Sequence, residues 1–245
     1  MRQLLQNKFF ETGMLIFIIF VAAILRLYQI GTVPPSPDWD EVALGYNAYS
    51  ILLTGRDEYG EIMPFVLQSF DDYKPALYTY LIIPFLPFFD LSVFSIRLPS
   101  AIFGILTVLA TYFLVKVLFQ NRGLALLTAF LLAISPWHIQ FSRVAFETNV
   151  GLAFNVFGAL FFLKGLKKPW YLLGAALFFG LNVSVYQSDR IFTPLLLLTL
   201  ICIFWRQLFS LPKKFLFLFV VIGMITVVPL VYALATNSNA LARLK

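Results

Sequence analysis

The sequence is poor in charged residues, and this shortage sets the class of protein. Lys and Arg total 18 and Asp and Glu total 12 among 245 residues. Charged residues therefore make up 12% of the chain, against about 25% in soluble domains, while 60% of the residues are hydrophobic. These proportions exclude a disordered chain and an ordinary soluble core, and the net charge of +6 indicates no nucleic-acid partner. They predict an all-α, polytopic protein embedded in the lipid bilayer.

Cysteine and histidine are also nearly absent. The single cysteine, Cys202, cannot form an internal disulfide, and the single histidine, His138, leaves no Cys/His set for a metal site. A carboxylate-only site built from Asp40, Glu41 and Glu147 keeps a divalent cation open. The sequence therefore predicts no certain metal ligand and no certain cofactor.

Apolar runs predict seven membrane spans that form one module. A helix of about 20 residues crosses a bilayer core of roughly 30 Å. We place the spans at 13–30, 97–118, 123–141, 148–164, 169–188, 190–208 and 213–235, with 31–96 as a long extracytoplasmic loop. A further run, Pro75–Phe89, is short and contains Pro84 and Pro87, so we interpret it as a broken helix at the membrane surface.

The basic residues decide between these topologies. With seven spans and a cytoplasmic N-terminus, the inside segments contain ten basic residues and a single acid, Glu11, as the positive-inside rule requires. The ten are Arg2, Lys8, Lys116, Arg122, Lys164, Lys167, Lys168, Arg206, Lys213 and Lys214. A span at Pro75–Phe89 would move most of them outside. We therefore expect a multi-pass plasma-membrane protein whose functional face is extracytoplasmic.

The first outer loop holds most of the acids and predicts two juxtamembrane helices. Asp38 and Glu41 have the spacing of a capping box, and Gly55 suits a helix stop. Asp40 and Glu41 lie in the first turn of this helix, where they either perform chemistry or only complement the helix dipole. Tyr46 falls on the helix stripe that suits a membrane surface.

Lys74 opens the second helix of the same loop in this interpretation. Amide donors at a helix N-terminus favour an anion such as phosphate, and a lysine there would reinforce that preference. The alternative is a surface lysine that pairs with Asp71 or Asp72.

Two further outer loops contribute charged residues. The second contains His138, Arg143 and Glu147, and the third contains Asp189 and Arg190 between two spans. A lone histidine at an interface is more often structural than catalytic. Charge between spans is costly and points to function, although Asp189 and Arg190 could simply neutralise local charge.

All three loops face the same side, so their charged residues could form one site. A carboxylate can act as a base on an incoming hydroxyl while cations receive a phosphate leaving group. A phosphate leaves as a stabilised anion, so no protonated acid is needed behind it, unlike in glycoside hydrolysis. Membrane embedding suits a donor attached to a lipid.

At these residues the chain resembles the GT-C glycosyltransferases that use polyprenyl-phosphate sugars, especially family 39, which contains protein O-mannosyltransferases and aminoarabinose transferases. The matching stretches are Asp40-Glu41, Lys74-Pro75-x-Leu77-Tyr78, Arg97-Leu98-Pro99-Ser100-Ala101, Ser135-Pro136-Trp137-His138-Ile139, Ser142-Arg143 followed by Glu147, and Tyr186 with Arg190-x-x-x-Pro194. Their order, and their placement on one side of a topology derived from charge, make the combination specific.

The resemblance implies an inverting glycosyltransferase that moves one monosaccharide, with mannose as one candidate, from a polyprenyl-phosphate carrier. The acceptor would be an extracytoplasmic protein hydroxyl, glycolipid or polysaccharide. It implies Asp40 as the base with Glu41 beside it, and Lys74 as the ligand of the lipid phosphate. Further substrate-binding residues in this interpretation are Arg143, Glu147, Arg190, Tyr46 and His138. Relatives carry further spans, so we expect this sequence to be part of a longer protein.

Two other functions are compatible with the sequence. A secondary transporter also uses Arg and Asp within the membrane, but it would place them near mid-span. A non-catalytic membrane subunit could retain the glycosyltransferase shape without its activity.

Overall fold

The structure is a computed structural model that describes residues 8–69 and 72–236, and within these ranges it is almost entirely helical. The helices are α1 Lys8–Leu27, α2 Trp39–Thr54, α3 Leu77–Ile82, α4 Leu86–Phe89, α5 Val93–Phe119, α6 Arg122–Ile134, α7 Pro136–Ser142, α8 Glu147–Gly165, α9 Tyr171–Asn182, α10 Asp189–Phe209 and α11 Lys213–Thr236. Two short strands, β1 Val66–Ser69 and β2 Asp72–Pro75, pair antiparallel.

The predicted all-α membrane architecture is confirmed, but the count of seven spans is not. Five helices, α1, α5, α8, α10 and α11, are long and apolar enough to cross a bilayer, and α6 with α7 would make a sixth as a pair bent by 60°. Helix α9 has 12 residues and is about 18 Å long, so it covers only part of the predicted span 169–188. Arg2, which supported the predicted orientation, lies outside the described residues.

The first juxtamembrane helix forms as its sequence signals predict. The Asp38 side chain accepts hydrogen bonds from the backbone amides of Trp39 and Glu41, and the Glu41 side chain accepts one from the Asp38 amide at 3.1 Å. These bonds complete the capping box that starts α2. Gly55 ends the helix with a φ of 71°, a left-handed conformation that glycine adopts without steric cost.

The second juxtamembrane segment is broken as predicted, but its start differs from the prediction. Helix α3, a 3-10 turn at Ile83–Phe85 and α4 follow one another across the prolines. Lys74 does not open this helix, because it lies in strand β2 opposite Leu67. The reason is local, since a residue that precedes a proline is driven out of the helical region and into the extended one.

The spanning helices pack through small side chains. Ala125, Ala129 and Ala133 repeat every four residues on one face of α6, and all three are fully buried. They belong to a buried cluster that also contains Ala22 of α1 and Val108 of α5. Between helices in lipid, close backbone approach of this kind supplies the van der Waals contact that holds them together.

Gly104 of α5 shows how tight this packing is. A Cβ atom added there would lie 2.7 Å from the Cβ of Ser142, at the end of α7. We expect Gly104→Ala to lower the free energy of unfolding by about 1–3 kcal/mol, because α5 and α7 would have to separate. Gly223→Ala in α11 is the matched control, since nothing lies within 4 Å of its added Cβ. Denaturation in detergent micelles, followed by circular dichroism, measures both, and equal stability of the two variants would contradict this packing argument.

A buried cluster fixes the outer loop on the spans. It joins Leu44 and Ala48 of α2 to Tyr78 of α3 and to Phe154 of α8. The Tyr78 hydroxyl donates to the carbonyl oxygen of Ile96 at 3.0 Å. Burial, and then the negative charge of nearby Glu147, raise the pKa of Tyr78 well above its usual value. The hydroxyl therefore stays protonated as a donor, and the loop helices have a fixed position over α5 and α8.

Candidate active site

A small cleft at one end of the helical bundle brings together three charged residues from separate segments. Asp40 comes from the first turn of α2, Lys74 from strand β2 and Glu147 from the first residue of α8. The cleft has a volume of about 50 Å³, and Pro75, Phe146, Tyr186 and Gln187 complete its lining. Three of the residues predicted to share a site therefore line one cleft.

Asp40 and Lys74 form an ion pair inside this cleft, through Oδ1 of Asp40 and Nζ of Lys74. The Lys74 side chain is only 10% exposed, whereas that of Asp40 is 52% exposed. The cation therefore forms the floor of the cleft, and the carboxylate lies at its mouth, where a second molecule can reach it. Of the two predicted alternative partners of Lys74, Asp71 and Asp72, the first lies outside the described residues.

Gln187 and Tyr186 were not predicted to bind substrate. The Gln187 side chain donates through Nε2 to the carbonyl oxygen of Tyr73 at 2.8 Å, which holds β2 and therefore Lys74 against the segment before α10. Tyr186 belongs to a stretch on which the family resemblance rests, so a signal for it existed. Gln187 is a single polar residue with no pattern around it, and sequence reasoning had no means to find it.

Glu41 does not line the cleft, although it follows Asp40 directly. Arg97 donates to both of its carboxylate oxygens at 2.8 Å, and the Ala145 amide donates to Oε1 at 2.7 Å. Glu41 is 3% exposed and Arg97 is 0% exposed. Burial alone would raise the pKa of Glu41, but the bonds from Arg97, Ala145 and Asp38 hold it below its usual value. The carboxylate is therefore ionised and fully occupied as a structural partner.

Two arginines donate to backbone carbonyl oxygens in the last turn of α1 and in the segment between α1 and α2. Arg143, at the end of α7, donates to the carbonyl oxygens of Leu25, Tyr28 and Val33 at 2.8–2.9 Å. Arg97 donates to the carbonyl oxygens of Ile30, Pro34 and Ser36 at 2.9–3.2 Å. The structure thus places Arg143 outside the cleft, in a clamp that holds the start of the outer loop.

His138 is likewise outside the cleft. It is buried, and its Nδ1 lies 2.6 Å from a guanidinium nitrogen of Arg26. Because arginine can only donate, Nδ1 is the acceptor and the ring proton is on Nε2. Arg26 also donates to the carbonyl oxygens of Leu132 and Ala133, where the α6–α7 pair bends. This pair of side chains stabilises the bend, in line with the structural role that is commoner for a lone histidine.

Residues 73–232 match the family described as dolichyl-phosphate-mannose-protein mannosyltransferase. The match covers more than half of the chain. The chain belongs to this family. The resemblance to lipid-phosphate-dependent glycosyltransferases is therefore confirmed, and the chain is a membrane glycosyltransferase of the class that uses a polyprenyl-phosphate-linked sugar. No curated protein and no solved structure matches it.

The matched range of the mannosyltransferase family contains some of the predicted site residues but not all. Lys74 and Glu147 of the cleft lie inside it, together with His138, Arg143 and Arg190. Asp40 precedes the matched range. Its place in the cleft therefore comes from the structure and not from the family match.

Arg190 is the remaining predicted cation of this mannosyltransferase-family chain. It is half-buried at the start of α10, and its Nε and one terminal nitrogen are buried without a hydrogen-bond partner among the described residues. Its neighbour Asp189 accepts from Nδ2 of Asn155 at 3.0 Å. The two residues therefore do not neutralise each other by direct contact in the described part of the chain.

Tyr46 lies away from the cleft, in a separate groove of about 320 Å³ that Trp39 and Tyr59 also line. Its side chain is about half exposed. Across residues 8–69 and 72–236, no three Asp, Glu, His or Cys side chains gather closely enough to hold a metal ion. A cation site made of Asp40, Glu41 and Glu147 gains no support from this geometry, because Glu41 faces Arg97.

Proposed function

We propose that this chain transfers one mannose, with inversion, from mannosyl polyprenyl phosphate to an acceptor hydroxyl outside the cytoplasm. The observation that carries the proposal is the Asp40–Lys74 ion pair in a cleft at one end of the spans. It puts a base beside a phosphate ligand, which are the two groups that the reaction needs. The family's description favours a protein as the acceptor.

Asp40 is proposed as the general base. Its half-exposed carboxylate lies at the mouth of the cleft, so an acceptor hydroxyl can approach it from outside. The carboxylate takes the proton as the hydroxyl oxygen forms a bond to the anomeric carbon of the sugar. The bond from that carbon to the phosphate oxygen breaks, and the electron pair leaves with the polyprenyl phosphate.

Lys74 is proposed as the ligand of the leaving phosphate. Its ammonium group is already largely withdrawn from solvent and fixed by strand β2, so it can stabilise the developing negative charge without reorganisation. Arg190 supplies the second cationic contact in this proposal, because it lies in the first turn of α10, three residues after Gln187, and has unpartnered donors among the described residues.

The other residues divide into substrate contacts and positioning residues. We assign Glu147, Tyr186 and Gln187 to the sugar, since they complete the cleft lining. Glu41 and Arg143 act indirectly, by holding α2 and the segment before it. The predicted plasma-membrane location and extracytoplasmic active site remain part of this proposal.

Replacing Lys74 tests the phosphate assignment. We expect Lys74→Gln to raise the KM for mannosyl polyprenyl phosphate at least tenfold, because one charge-assisted contact to the phosphate is lost, and Lys74→Arg to restore most of the affinity. The measurement is transfer of radiolabelled mannose by the full chain in liposomes. Lys213→Gln, at the other end of the bundle, is the control that should keep the original KM. An unchanged donor KM in Lys74→Gln would remove Lys74 from the phosphate site.

A further inference from the structure

A second groove lies at the end of the bundle opposite the cleft. Helix α8 begins with Glu147 in the cleft and ends near Lys164 in this groove, 17 residues along and about 25 Å away. The groove consists of two adjoining cavities of about 340 and 380 Å³. They share four lining residues, Val117, Gln120, Leu163 and Lys167, and therefore form one continuous depression, called here the basic groove.

One end of the basic groove is strongly cationic. Lys116, Lys164 and Lys168 line it together with the shared Lys167. Lys116 pairs with Glu11, whereas Lys164, Lys167 and Lys168 form no ion pair with any residue in 8–69 or 72–236. Glu11 neutralises Lys116, but the three other lysines share a concave surface without an acidic partner among the described residues, and their mutual repulsion favours an anionic ligand.

Aromatic rings fix one of these lysines in place. The Lys164 ammonium group lies 4.9 Å from the ring centre of Phe113 and 5.5 Å from that of Tyr171. Cation–π contacts of this kind hold the side chain without neutralising its charge. A lysine that contributed only to the orientation of the chain in the membrane would not need a fixed side-chain position.

The other end of the basic groove is apolar. Leu118, Leu166 and Phe204 line it, and α10 departs from helical geometry at Phe204, with φ −107° and ψ 19°. A single depression that is cationic at one end and hydrocarbon-lined at the other matches a molecule with an anionic head and an apolar chain. Basic pockets between helices at a membrane surface bind acidic lipid headgroups in this way.

We propose that the basic groove binds an acidic glycerophospholipid, with its phosphate among Lys164, Lys167 and Lys168 and an acyl chain along Leu166 and Phe204. This site is separate from the donor cleft, and the inference goes beyond the proposed transfer reaction. The bound lipid would join the ends of α5, α8 and α10, which supply the groove walls.

Native mass spectrometry of the full chain in detergent, titrated with phosphatidylglycerol, tests the proposal. We expect one tightly bound phosphatidylglycerol per chain, at least tenfold weaker binding of phosphatidylcholine, and at least tenfold loss of phosphatidylglycerol affinity in K164Q/K167Q. The matched control is K213Q/K214Q, which removes the same charge at the same end of the bundle from residues that do not line the groove. It should bind as the unmodified chain does.

Several outcomes would overturn the assignment. Equal loss in both double variants would show general surface attraction, and unchanged binding in K164Q/K167Q would exclude the groove. Displacement of the lipid by millimolar inorganic phosphate would identify a soluble anion as the ligand. Preferential binding of polyprenyl phosphate would identify a second carrier site. Mannose transfer by K164Q/K167Q reports separately on the donor cleft, so failure of one proposal is distinguishable from failure of the other.

Discussion

Asp40→Asn should reduce mannose transfer by a factor of about 10²–10⁴, the range that a general base contributes. The amide has nearly the shape of the carboxylate but cannot accept the proton of the acceptor hydroxyl. Because Asp40 is half exposed and pairs only at the cleft mouth, the variant should fold normally. The measurement is the initial rate of radiolabelled mannose transfer at saturating donor.

The control for Asp40→Asn is Glu61→Gln, which removes an acid from an exposed position in the same outer loop, outside the cleft. It should transfer mannose at the original rate. Donor binding by Asp40→Asn should also persist, because Lys74 remains. Transfer by Asp40→Asn at the rate of the unmodified chain would exclude Asp40 as the base.

Glu41→Gln should instead destabilise the fold, by about 3–5 kcal/mol, because it leaves the Arg97 charge buried without its partner. Chemical denaturation in detergent micelles measures the free energy of unfolding. Asp40→Asn is the matched comparison one residue away, where the loss should be within about 1 kcal/mol. The double variant Glu41→Gln/Arg97→Gln should cost less than the sum of the two single changes, since the pair is coupled.

The stability difference between the unmodified chain and Glu41→Gln should depend on pH with a defined sign. The folded-state pKa of Glu41 is lowered, so its ionised form stabilises the fold at all pH values above the ordinary value of about 4.3. As the pH falls through that value towards the lowered one, the unfolded chain takes up the proton first and the difference shrinks. A difference that grew on acidification, or two single changes that simply added, would contradict the buried ion pair.

The convergence of Asp40, Lys74 and Glu147 could be predicted from the sequence because it depends on sidedness. The distribution of basic residues between the apolar runs predicts that the three loops lie on the same side of the membrane. The spans are joined by short connections, so residues in these loops are expected to lie close together. The capping box at Asp38 and the stop at Gly55 could be predicted for a similar reason, since both depend on backbone groups within a few residues.

The different roles of Asp40 and Glu41 could not be predicted in this way. Adjacent residues on a helix point about 100° apart, so only one of the two can face the cleft, and the packing of α5 decides which. The targets of Arg143 and His138 depend on the same long-range packing, with partners more than 100 residues away in sequence. The extended backbone at Lys74 was predictable from Pro75, but the helix-start prediction overlooked this local rule.

The arginine clamp also has a consequence for biosynthesis. Asp40 leaves the ribosome early, yet α2 is anchored by Arg97 and by the Ala145 amide, and the segment before it by Arg143. Ala145 follows Glu41 by 104 residues, which take about 5–20 s to synthesise. During that interval the loop lacks these anchors, and the cleft, which Glu147 of α8 and Gln187 also line, can assemble only after those later segments have been made.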